Sequence, residues 1–165
     1  MNPSHRLWAY LAAAWALVFA APHFYWATGA EAGLRTALSD EIVSEAGGGF
    51  QLLNLGIGLF VTAGAATALA TLRHWPQQLA RISRRVLVGL LWFGAAVLTL
   101  RSLDIYVEFQ LALTEVWDVP DVDRDDYLSM ARWFMFFWLP WFALGALAWT
   151  RLAWSFTRSR THAAA

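Results

Sequence analysis

Four apolar runs, each of roughly twenty residues or more, are separated in this chain by short charged connections. That pattern leaves few folds open. A run of such length crosses a bilayer as a helix, because hydrocarbon offers no partner to a backbone N–H or C=O and a helix satisfies both internally. The runs predict an all-α, four-helix transmembrane bundle with spans at about residues 7–28, 50–72, 86–113 and 128–154. Together they fill residues 1–165 as a single integral-membrane domain. Composition agrees: 59% of the residues are hydrophobic and 15% charged, against about a quarter charged in soluble domains. The first run follows Arg6, as a signal peptide would. It is too long for a signal-peptide core, is rich in Trp and Tyr, and has no clean cleavage site after it, so it reads as a retained helix.

Charge sets the expected orientation. Arginine supplies every Lys-or-Arg position, a bias that fits a GC-rich bacterial genome. The arginines gather before the first run (Arg6), between the second and third (Arg73, Arg81, Arg84 and Arg85) and in the tail (Arg158 and Arg160). Both termini should then face the cytoplasm, N-in/C-in, across the inner membrane of a bacterial cell. The acid-rich connections, with Glu31, Asp40, Glu41 and Glu45 in one and Glu115 to Asp126 in the other, should face outward. A formal net charge of zero gives no reason to expect nucleic acid as a partner. Cysteine is absent, which excludes disulfides and thiolate metal sites.

That topology brings polar residues to one depth. Arg101, Asp104 and Glu108 in the third span are spaced i, i+3, i+7 and share a helix face. His23 closes the first span, Gln51 and Asn54 open the second on one face, and Tyr127 and Arg132 open the fourth. Ionisable groups at membrane depth are costly and usually functional. Two readings stand. Arg101 with Asp104 and Arg132 with Glu108 would be ion pairs that lock helices together, or the layer would be a site. One histidine and two acids make a sparse metal set, and the acids of 118–126 lack the glycine of a calcium loop, so neither metal nor cofactor is expected. Below the layer lie Trp26, Tyr106, Trp133, Phe136, Phe137 and Trp138, while Trp8, Trp75, Trp149 and Trp154 fit an interfacial belt. Carboxyls over aromatic faces suit an apolar substrate that becomes cationic. Burial keeps a carboxyl protonated, and each π-face holds a cation by about 2 kcal/mol when desolvated.

Residues 22–29 read Pro-His-Phe-Tyr-Trp-Ala-Thr-Gly. This stretch resembles the His-x-Tyr-Trp-Ala-x-Gly signature of a family of small four-helix bacterial membrane proteins with a domain of unknown function. Leu100-Arg101-Ser102, the run Trp138 to Gly145, and Asp123-Arg124-Asp125-Asp126-Tyr127 are similar to its later landmarks. In size and layout the chain also resembles bacterial integral-membrane terpene cyclases. That resemblance implies protonation-initiated cyclisation of the prenyl chain of a meroterpenoid-type substrate, with membrane lipid and an apolar prenylated molecule as partners. Asp104 or Glu108 would be the acid and the other the base, Arg101 would tune both, and His23 would be an alternative base. Gln51, Asn54 and Arg132 would hold the polar head, and Trp26, Tyr106, Trp133 and Phe136 would line the cation's path. The other expectation is a non-enzymatic module that binds lipid or a protein partner.

Overall fold

The computed structural model describes residues 3–44, 47–114, 116 and 124–159. The loop acids Glu45, Glu115, Asp118, Asp121 and Asp123 lie outside them. The elements are α1 (Pro3–Ala27), a 3-10 turn (Leu34–Thr36), the short α2 (Asp40–Ser44), α3 (Gly48–Ala70) and α4 (Gln77–Leu113). They are followed by α5 (Arg124–Trp133), a π-helical turn (Phe134–Trp138) and α6 (Leu139–Arg158), which run on as one helical stretch. Four stretches, α1, α3, α4 and Arg124–Arg158, are long and apolar enough to cross a membrane. There is no β-strand among the described residues. The protein is an all-α, four-helix transmembrane bundle.

Local chemistry explains the departures from four plain spans. Pro22 does not end α1, which continues to Ala27. Gly47 caps α3 in an extended conformation, and Gly48 and Gly49 form its first turn. The segment between the first two long helices forms the 3-10 turn and α2, and Gly29 and Gly33 adopt left-handed backbone (φ +87° and +82°) that folds the chain back on itself. Pro140 lacks the N–H that would bond the carbonyl of Phe136. The helix widens into the π-turn just ahead of it, which makes room for the ring.

α1 lies between α3 and α6, and α6 in turn packs on α4. α3 and α4 barely touch. The close contacts rest on small residues, as expected where lipid is as apolar as the helix surface and only packing can hold helices together. α1 buries Ala9, Ala12, Ala13, Ala16 and Ala20. Gly58 accepts the ring of Phe24 and Gly145 that of Trp15, whose indole N–H donates to the Trp141 carbonyl at 2.9 Å. The ring of Trp149 sits between Gly64 of α3 and Gly94 of α4. Hydroxyls of Thr62, Thr99, Ser102 and Thr157 donate to carbonyls four residues back, so none is left bare on an apolar surface.

Each end of the bundle is fastened. At the arginine-rich end, Ser155 gives its hydroxyl hydrogen to the Leu152 carbonyl (2.9 Å), so the His5 Nδ1 contact at 3.0 Å is a donation to Ser155 Oγ. Arg84 donates to the carbonyls of Phe156 and Thr157 (3.2 and 2.9 Å), closing the last turn of α6 from α4. At the other end two indoles hold the 29–38 loop down. Trp26 Nε1 donates to the Ala32 carbonyl (2.9 Å) and Trp138 Nε1 to that of Thr36 (2.8 Å). Leu34, 2% exposed, plugs into the cluster formed with Trp26, Ile105, Phe109, Ala131 and Phe134.

Candidate functional site

Beneath that loop is a chamber of about 350 Å³. α1 contributes Phe19, His23 and Trp26, on one face at i, i+4, i+7, and α3 contributes Phe50, Asn54 and Ile57. Leu34, Ala37 and Leu38 of the loop roof it. Arg101 enters from α4, and Phe134, Trp138 and Phe142 from the last stretch, again at helical spacing. A second cavity, about 450 Å³, lies along the seam where α3 and α4 fail to meet. It is lined by apolar residues of both helices, among them Phe60, Val61, Gly64, Leu90, Phe93 and Val97, with Trp149 also on its wall. Phe19, Ile57, Arg101 and Phe142 border both cavities. The two are therefore adjoining: a mixed polar and aromatic chamber beside an apolar groove.

Three polar groups converge on the chamber. His23 Nδ1 donates to the Phe19 carbonyl at 2.9 Å, and a carbonyl can only accept, so the neutral ring keeps Nε2 as its lone-pair acceptor. The Phe19 and Trp26 rings meet the imidazole edge-on, with centroids 4.7 and 5.3 Å away. Asn54, 4% exposed, gives one amide hydrogen to the Phe50 carbonyl (3.0 Å) and retains its other donor and its oxygen. Arg101 pairs with Asp104 through Nη1, and its guanidinium carbon lies 5.9 Å from the Phe134 ring centroid. That pair is half-exposed (41% and 58%), so it adds little stability.

The chamber gathers five of the residues singled out in the sequence: His23, Trp26, Asn54, Arg101 and Trp138. Gln51 stands half-buried near its rim, against Gly29, where an added Cβ would come within 2.8 Å of the Gln51 amide nitrogen. Asp104, Tyr106, Arg132, Trp133 and Phe136 are exposed, Glu108 is half-buried, and none of these six lines the chamber. The reason is the apolar stripe of α4. Leu87, Leu91, Ala95, Ile105, Phe109 and Ala112 carry its buried face, and Asp104 and Glu108 sit one position off that stripe, about 100° around the helix. Arg101, four residues before Ile105, lies close to that stripe and reaches the chamber. At 37 residues α4 is about 55 Å long, against about 30 Å of hydrocarbon, so it is longer than one perpendicular crossing needs.

Phe19, Phe134 and Phe142 were not among the sequence candidates. The signal was present: Phe134, Trp138 and Phe142 recur at every fourth position, whereas Trp133 and Phe136 do not continue that series. Among the described residues no group of three or more His, Cys, Asp or Glu side chains is placed to share a metal ion.

Bundle and cavities define a class: a small polytopic helical membrane protein with a roofed, mostly aromatic chamber beside an apolar groove. The chain belongs to the family described as protein of unknown function (DUF3995), whose model matches residues 16–149. No curated protein and no solved structure matches the chain.

Proposed function

We propose that this protein binds an amphiphile within the bacterial inner membrane, the polar head under the 29–38 loop and the apolar tail in the groove between α3 and α4. The observation that carries this reading is that the two cavities lie side by side and share Phe19, Ile57, Arg101 and Phe142 in their walls. One cavity offers His23, Asn54 and Arg101, and the other is almost wholly hydrocarbon-lined. Ligand sites commonly combine an apolar wall with a few convergent polar groups, at about 300–1,000 Å³. With both termini cytoplasmic, the chamber lies toward the outer leaflet and the arginine-rich end toward the cytoplasm.

A photoreactive prenyl alcohol tests it in membranes holding the protein. Crosslinks should concentrate on the seam residues, Val61 and Val97 among them, and fall away when Gly64→Leu fills the groove. Labelling spread equally over the outward residues Leu52 and Leu53, 70% and 59% exposed, and indifferent to Gly64→Leu, would sink the idea.

The aromatic lining favours a second reading, protonation-initiated cyclisation of the bound prenyl chain. Phe19, Trp26, Phe134, Trp138 and Phe142 present π-faces suited to a cation. Its acid would be Asp104 or Glu108, acting from outside the chamber, with Asp104 held by Arg101. Asp104→Asn and Glu108→Gln should then abolish formation of a cyclised isomer from a prenylated aromatic. Full activity in both amide variants removes this reading and leaves the binding one intact.

A further inference from the structure

Resting on the amphiphile reading, we infer that the ligand is a single-chain amphiphile with a phosphate monoester head, held by Arg101, His23 and Asn54. The first argument is charge. Among the described residues Arg101 is the one Asp, Glu, Lys or Arg lining the chamber, and its partner Asp104 is not part of that lining. A guanidinium has five N–H donors in a planar fork that matches phosphate, and the Asp104 contact engages Nη1 alone. An arginine at the edge of hydrocarbon gains from a second anionic partner.

The second argument is hydrogen-bond polarity. Because Nδ1 is committed to the Phe19 carbonyl, neutral His23 turns an acceptor, Nε2, to any partner. Asn54 brings one free N–H and its oxygen. A head that satisfies all three must carry anionic oxygens for Arg101 and an O–H for His23. A phosphate monoester monoanion has both, a carboxylate lacks the O–H, and an alcohol lacks the charge.

The third argument is width. Trp149 is pinned between Gly64 and Gly94, where an added Cβ would come within 3.3 and 2.6 Å of its ring. The ring limits how deep the seam between α3 and α4 runs. One chain fits this seam, and two side by side would need the helices to part.

The test titrates the purified full chain in uncharged detergent, reading the fluorescence of its tryptophans, since Trp26 and Trp138 line the chamber. Three probes are compared: a C15 or C20 prenyl monophosphate, the prenyl alcohol of the same length, and diacyl phosphatidate. The monophosphate should bind at least about tenfold more tightly than the alcohol, as expected for one added charge-assisted contact. Arg101→Gln should erase that difference, with its helical circular dichroism and detergent unfolding showing that the variant is folded, and Arg101→Lys should restore part of it. Equal affinity for phosphate and alcohol, or an Arg101→Gln variant that keeps the preference, overturns the phosphate head and spares the amphiphile reading. Phosphatidate that displaces the monophosphate at equal concentration overturns the single chain. Failure of both prenyl probes to bind removes the amphiphile reading itself.

Discussion

At the scale of single residues, the bundle depends on side chains that occupy space another residue has vacated. The Trp149 ring has Gly64 on one side and Gly94 on the other. A fused ring so held has little room to move aside, and a methyl at Gly94 would meet it at 2.6 Å. Gly94→Ala should therefore cost about 1–3 kcal/mol by overpacking, read as a loss in detergent unfolding. The penalty should shrink in Gly94→Ala/Trp149→Leu, because the added methyl and the removed ring share the same space. Additive losses would mean that the close approach is not what makes Gly94 necessary. The same scale shows what the sequence could reveal about the site. His23, Asn54 and Arg101 were legible because polar groups in apolar runs are conspicuous. The stripe of Ile105, Phe109 and Ala112 decides which way α4 faces, and that stripe turns Asp104 and Glu108 aside. Charge marks where chemistry is affordable, whereas apolar periodicity decides what points inward.

At the scale of elements, the four long helices were readable from run length, since only a helix of about twenty residues meets the demands of the bilayer. The irregular turns were not. Pro140 was visible, but a proline in a helix permits a kink, a break or a widened turn, and packing chooses among them. Here the π-turn aims Phe134 and Trp138 at the chamber and lets the Trp138 indole reach the Thr36 carbonyl. Pro140→Ala should let the turn relax to α, rotating the preceding residues by about 100° for a one-residue shift. The Trp138 bond to the loop would then be lost. Amide exchange across residues 29–38 should quicken in this variant, as it should in Trp138→Phe, which removes the same donor while leaving most of the ring. Unchanged protection in both variants would show that Leu34 alone keeps the loop seated.

At the scale of the molecule, the charges divide between the two ends of the bundle. Arg6, Arg73, Arg81, Arg84, Arg85, Arg151 and Arg158 belong to one end, and no acid among the described residues does. Helix pairing keeps that division, because Arg84 at the start of α4 bonds the last turn of α6 and His5 of α1 bonds Ser155. On the positive-inside bias the arginine-rich end should face the cytoplasm. Because the chain has no cysteine, a single introduced thiol reports one position. Glu31 lies in the loop over the chamber and His74 in the tight connection between α3 and α4, both exposed and separated by one crossing. In intact spheroplasts an impermeant maleimide should modify Glu31→Cys at once, and His74→Cys only after permeabilisation. Modification of both without permeabilisation would mean that α3 does not cross. The reverse pattern, with His74→Cys alone reacting, would place the chamber at the cytoplasmic face. Arg101 would then draw its ligand from the inner leaflet, where single-chain phosphates would meet competition from the anionic lipids of that surface. Orientation therefore decides which pool of amphiphiles the chamber can sample.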